Sequence, residues 1–299
     1  MSLSIGSSSI PPAFGPVSFS REIGVLRSAF FGGLAGLLGA FLQGSSVSST
    51  VGSGMVVGEL VILQAFIILF VSSTLVIVSN ILKYPMPTAF TVIGAVLGTG
   101  TSFNPGILWS NVNNVLFYWS IIPFLAITIA FSLSKILTFI IPSDYHKNKI
   151  NYLNFGIGLF VAYTAGANSV GLAIGPLYSL GYNLNYLLLL GGFSILLGAW
   201  LLSPRIIHTV SFEYSNIGPR RSISALGTPA ILAQIGIHFG IPISFSEAII
   251  FSMIGSGLVL GKSNIGKKKL AYTIGAWIFA FALSISISFL LSEITRGIL

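Results

Sequence analysis

Gly166-Ala-Asn-Ser-Val-Gly-Leu-Ala-Ile-Gly-Pro176 repeats, in altered form, a peptide that stands 160 residues earlier, Gly6-Ser-Ser-Ser-Ile-Pro-Pro-Ala-Phe-Gly-Pro16. Three further pairs keep nearly the same offset and the same order: Leu37-Leu-Gly-Ala40 with Leu196-Leu-Gly-Ala199, Pro85-Met-Pro87 with Pro242-Ile-Ser244, and Trp119 with Trp277. Several matches in one order mark a duplicated architecture rather than a chance motif. Half of the 299 residues therefore echoes the other half.

Composition says what was duplicated. Charged residues make up 7% of the chain, against roughly a quarter in soluble domains, and the mean hydropathy is +0.95. Such a chain belongs in a bilayer. Glycine is abundant, as it is where membrane helices approach closely, and Gly32, Gly33, Gly36 and Gly39 fall along one helix face suited to packing. The absence of cysteine excludes disulfides, thiolate metal sites and cysteine nucleophiles. The first twenty residues lack the basic start and apolar run of a signal peptide, so the mature chain is expected to begin near Met1.

Apolar stretches run over 24–44, 59–82, 86–100 and 113–140, and again over 186–202, 222–239, 245–261 and 270–292. Each half opens with the motif segment, 1–18 and 152–178, read as a broken span, which gives five crossings per half. An odd number turns the second half upside down relative to the first. Lys and Arg test this independently: Arg21, Arg27, Lys83, Lys135, Lys147 and Lys149 follow alternate crossings, while 45–58 and 101–112 carry none. In the second half Arg205, Arg220, Arg221, Lys262 and Lys267 to Lys269 fill the opposite set of loops, and the turn near Gly240 is bare. Basic loops in the cytoplasm then give one threading with both termini outside, Arg296 being the exception. The expectation is an all-α polytopic membrane protein of two inverted-topology repeats, each of about five segments with broken or re-entrant helices. The repeats are 1–141 and 152–299, joined by a cytoplasmic linker, 142–151.

Inverted repeats with interrupted helices recur in secondary transporters, because two similar halves can exchange conformations and open one central site to either side. The rival is a membrane scaffold in which duplication only solves a packing problem.

The motif residues resemble the inorganic phosphate transporter (PiT) family, which includes sulfate permeases. Gly166 to Pro176 is similar to that family's signature GANDVANAIGP, and Pro242-Ile-Ser-Phe-Ser-Glu-Ala-Ile-Ile250 to its second signature, PVSTTHAIV. The resemblance implies a permease in the cell membrane that carries phosphate, or in some cases sulfate, with sodium ions or protons, and suggests a homodimer. The departures change the chemistry. Asn168 is kept, but Ser169 replaces the Asp and Leu172 the second Asn; in the first half Ser8 and Ser9 stand for Asn-Asp and Pro12 for the other Asn. In the second signature Ser244 and Ser246 keep hydroxyls, Phe245 replaces a Thr and Glu247 takes the His position, while Thr88 is the only hydroxyl of the first-half copy. Residues 152–165 have only Met1 to Ile5 as counterpart, so either the first broken helix is truncated or translation starts upstream.

A sodium site favours a carboxylate among its oxygen ligands, and the motif aspartates are gone, which argues against sodium coupling. Phosphate near neutral pH carries protons that need acceptors, whereas sulfate needs only donors. A lining of Ser8, Ser9, Thr88, Asn168, Ser169, Ser244 and Ser246, with half-helix N-termini at the glycine breaks, supplies neutral donors and so raises sulfate. The plainer role of each serine is to satisfy backbone freed where helices break. Glu247 lies in an apolar run where an ionised carboxylate is expensive, and with His238 it could take up a proton together with the anion. The alternatives are a helix cap for Glu247 and a solvated helix end for His238.

No GxSxG or HExxH motif suggests an enzyme, and no Cys/His/Asp spacing suggests a metal site or cofactor. Lys83, Lys135 and the run Lys267 to Lys269 read as anchors to lipid headgroups rather than as nucleic-acid contacts. The degenerate first-half motif leaves a non-transporting sensor or scaffold as the alternative function.

Overall fold

A computed structural model of the chain describes residues 1–14, 24–82, 86–102, 106–141, 147–202, 218–261 and 267–296. The basic positions Arg21, Lys83, Arg205 and Lys262 lie outside the described residues. The helices are α1 (Ser2–Ser9), α2 (Val25–Gln43), α3 (Ser45–Ser53), α4 (Ile62–Ile81), α5 (Thr88–Ser102), α6 (Trp109–Ile140), α7 (Lys147–Tyr178), α8 (Leu184–Leu202), α9 (Pro219–His238), α10 (Phe245–Leu258) and α11 (Lys267–Arg296). Among the described residues the one β-pairing is an isolated bridge between Val56 and Ile107.

Helix lengths carry the duplication into three dimensions. α2 and α8 both have 19 residues, α4 and α9 both 20, α5 and α10 have 15 and 14, and α6 and α11 have 32 and 30. Six helices are long and apolar enough to cross a bilayer: α2, α4, α6, α7, α8 and α11. α5 and α10 are too short. At 1.5 Å per residue they rise about 22 Å, against a hydrocarbon core of about 30 Å, so they are half-spans that begin inside the protein. α9 is long enough but carries Arg220 and Arg221 in its first turn and Pro229 in its interior.

The motif segments differ from expectation. In the first half α1 stops at Ser9 and a 3-10 turn, Pro11–Phe14, follows, because proline donates no N–H and disfavours helix in the residue before it. In the second half residues 152–178 are not broken: they lie within the uninterrupted α7. Pro176 falls in its last turn, where little helix remains to kink, and the glycines serve packing instead. A Cβ on Gly166 would run into the carbonyl of Gly36, and one on Gly39 into that of Tyr163, so α2 and α7 touch backbone to backbone. α3 was expected as loop. Its serines and threonine bond back to carbonyls of their own helix, Ser48 to Gly44 at 2.6 Å and Ser53 to Ser49 at 3.1 Å, and Val47 and Val51 meet Gly171 and Gly175 of α7.

The two halves exchange their last helices. α6 of the first half packs on α9 and α10 of the second, and α11 of the second packs on α4 and α5 of the first. These two are the least buried spans. Their outer faces present Phe117, Phe124, Ile278 and Phe279 to the lipid. Lys135 and Arg27 are exposed as anchoring requires. Arg296 sits 3.8 Å from Glu293 and donates to the Ser102 carbonyl at 3.1 Å, which offsets its charge locally.

Candidate functional site

The start of α10 is held from both halves. Gly240, at φ 67°, turns the chain between α9 and α10, a left-handed conformation that favours glycine. The Trp119 indole N–H donates to the Pro242 carbonyl at 2.9 Å. Asn168 grips the next residue with both ends of its amide: Nδ2 donates to the Ile243 carbonyl at 2.8 Å and Oδ1 accepts the Ile243 N–H at 2.9 Å. These contacts fix where the first turn of α10 points. Its leading N–H groups have no intrahelical acceptor, so they form a fixed, partly positive donor set suited to an anion.

Ser244 is the residue before that first turn and its side chain makes no cap bond. It lies beside the Glu247 carboxyl, within electrostatic reach but without full hydrogen-bond geometry. Ser246 reaches across to the first half, donating to the Met86 carbonyl in a long bond of 3.4 Å. Met86 leads into α5, whose first residue is the buried Thr88, so the two half-helices start side by side. Their N-termini follow prolines 87 and 242, not the glycine breaks expected from the sequence.

The remaining hydroxyls divide into used and unused. Ser8 bonds back to the Ser4 and Ile5 carbonyls at 3.2 Å, as a helix-interior serine does. Ser9, Ser169 and Ser244 are 0–1% exposed, and none of their hydroxyls has a protein partner. Glu247 is buried too, and its Oε2 is unpartnered. Buried polar groups without partners are rare and demand an explanation, and a polar ligand is a direct one. α1 packs on α5 and α7, which brings Ser9 to the elements carrying Thr88 and Ser169, although no described bond joins the two clusters.

Two expected roles change. Asn168 bonds Ile243 through both of its polar atoms and so positions α10, with one amide N–H left over as a donor. His238 is exposed at the end of α9, edge-on to Phe239 at 5.2 Å, in an apolar recess with Phe160 and Ile231. Glu247 lines a different cavity, and no described contact joins the pair. Sequence reasoning missed Asn80, whose Nδ2 donates to Ser7 Oγ at 2.8 Å while its Oδ1 is unpartnered. Its signal was an amide at the end of an otherwise apolar run. Among the described residues no group of three His, Cys, Asp or Glu could hold a metal.

A family model described as "Phosphate transporter family" matches residues 5–288. "Sulfate permease CysP" of Bacillus subtilis (strain 168) is 29% identical over 262 residues, covering 85% of this chain and 73% of that protein. "Sodium-dependent phosphate transporter 1" of Homo sapiens is 26% identical over 160 residues, 50% of this chain and 24% of that protein. A solved structure, "The sodium-dependent phosphate transporter", superposes with a TM-score of 0.91 over 100% of this chain and 97% of that one, at 19% identity, and so shares the fold.

Proposed function

The chain belongs to the phosphate transporter family and is a multi-pass membrane permease of phosphate or sulfate, and on that premise we propose that it prefers sulfate and moves it together with protons. The observation that carries this reading is the set of buried, unpartnered hydroxyls of Ser9, Ser169 and Ser244, the last of them at the start of α10 beside the one buried carboxyl, Glu247. Every neutral member can donate a hydrogen bond. Sulfate asks for donors alone, while hydrogen phosphate must also place its own protons on acceptors.

Glu247 sets the coupling. Ionised in the first turn of α10, it would satisfy the helix dipole and repel an incoming oxyanion. Carrying a proton, it ceases to repel and becomes one more donor. Anion and proton therefore bind more readily together than apart, which is the linkage a symporter needs. Sodium has a weaker claim, since Glu247 is the one buried acid among the described residues and no second carboxylate stands near it. Ser246 and Thr88 line the meeting of the half-helices, Ser8 backs Ser9, and Asn168 holds the frame. The relatives named above are permeases and transporters, in keeping with carriage rather than catalysis.

Uptake into liposomes tests this. Radiolabelled sulfate should accumulate under an inward proton gradient and show no response to sodium, with phosphate a weaker competitor. Glu247→Gln should abolish gradient-driven uptake while sulfate exchange at equilibrium persists. Sodium-driven phosphate uptake would overturn both parts, and no flux of either anion would leave a sensor or scaffold.

A further inference from the structure

The cavity that Glu247 lines, of about 390 Å³, opens on the lipid side of the molecule between α5, α6, α10 and α11. Its walls are aromatic. Phe90 lies 4.3 Å from Trp119 by ring centroids, 6.4 Å from Trp277 and 6.1 Å from Phe281, and Phe251 lies 6.4 Å from Trp277. Most of these rings meet tilted or edge to face, so they stand as walls rather than as a flat stack. The rim includes Ile278, 64% exposed on the outer face of α11, so the mouth faces hydrocarbon rather than either aqueous side.

The cavity is lined by corresponding positions of the two halves. Trp119 corresponds to Trp277 and Pro123 to Phe281 at an offset of 158 residues, and Phe90 corresponds to Glu247 at 157. All of them line it. Duplication supplied matched walls, and one difference between the copies, Glu247 in place of Phe90, put a single carboxyl in an otherwise apolar chamber. No Lys, Arg or His lines the cavity, the Ser120 hydroxyl is used on the Leu116 carbonyl at 2.9 Å, and Ser244 beside the carboxyl makes no full hydrogen bond to it, so Oε2 has no cationic or hydrogen-bonded partner.

We propose that this chamber binds an amphipathic organic cation, a quaternary or tertiary ammonium that enters from the bilayer and sets its charged head between the Trp119 and Trp277 rings and the Glu247 carboxylate. Aromatic faces attract such cations, most strongly where water is excluded, and the carboxylate completes the charge. While Glu247 is ionised an oxyanion is disfavoured there, and a plain acyl chain would leave the carboxylate unanswered. The inference does not rest on the transport reading, since it concerns binding without anion or gradient.

Fluorescence quenching tests it on the full chain in neutral maltoside micelles. Trp109→Phe and Trp200→Phe remove the two indoles outside the chamber, both at the surface, leaving Trp119 and Trp277 to report. A trimethylammonium nitroxide is titrated against its uncharged tert-butyl analogue. The cation should quench saturably at a concentration about tenfold lower than the neutral probe, and Glu247→Gln should erase that preference while leaving the neutral probe unchanged, which also shows the variant is folded. Equal affinity for both probes, or a preference that survives Glu247→Gln, overturns the proposal in favour of lipid filling. Failure of both probes to quench overturns it too, with a second copy of the chain over the opening as the explanation.

Discussion

Asn168→Ala is the sharpest probe of the frame that aims α10. Asn168 is 0% exposed, and truncation removes hydrogen bonds of 2.8 and 2.9 Å, leaving both the N–H and the carbonyl of Ile243 buried without a partner. Each orphaned group costs about 1–3 kcal/mol, so the variant should lose about 2–6 kcal/mol of stability. A surface serine lost elsewhere should change stability by less than about 0.5 kcal/mol. Trp119→Phe removes the neighbouring bond to the Pro242 carbonyl, 2.9 Å long. The two changes loosen one dipeptide, so their effects should not add; the double variant should fall short of the sum by at least about 0.5 kcal/mol. Reversible SDS titration in mixed micelles, followed by circular dichroism, measures all three. If Asn168→Ala unfolds with the parent, or the effects are strictly additive, the clasp does not hold α10 and the reasoning fails.

Ser169→Ala and Ser244→Ala remove hydroxyls without protein partners, so each should raise the sulfate KM several-fold, by the worth of one donor of about 1 kcal/mol, while the unfolding midpoint stays put. A lowered midpoint with unchanged KM would mark them as structural. Gly166→Leu should abolish folded expression, because its side chain meets the backbone of Gly36; a well-expressed, active variant would contradict the backbone contact between α2 and α7. The chain has no cysteine, so single cysteines at Ser49 and at Lys268 can be labelled from either side of oriented vesicles. They should react from opposite faces, and labelling from the same face would break the inverted threading.

Much of the membrane architecture was legible because hydrocarbon imposes a length. The apolar runs at 24–44, 59–82 and 186–202 appear as α2, α4 and α8 within a few residues of their expected ends. α3 was not legible, because its serines and threonine read as loop until their hydroxyls are seen bonded within the helix. α7 misled in the opposite sense. Glycines 166, 171 and 175 suggest a break, yet their smallness is used to admit α2 and α3, a choice that depends on neighbours distant in sequence. The candidate site was half legible: residue types pointed to hydroxyl donors, but which hydroxyls are free depends on who else needs them. Asn168 and Ser8 turned out to be occupied, and Ser9, Ser169 and Ser244 did not.

The sequence by itself determined that this is a duplicated, bilayer-embedded helical chain with a neutral, hydroxyl-rich motif and one acid in an apolar run. Those conclusions follow from composition and periodicity, which act locally and survive without coordinates. Only the tertiary structure decided that the halves trade their last helices, that Trp119 of one half and Asn168 of the other hold Pro242 and Ile243, and that Phe90 and Glu247 share one chamber. Such facts join residues tens to more than a hundred and fifty positions apart, and pairing at that range is set by close packing of whole helices, which no local pattern encodes.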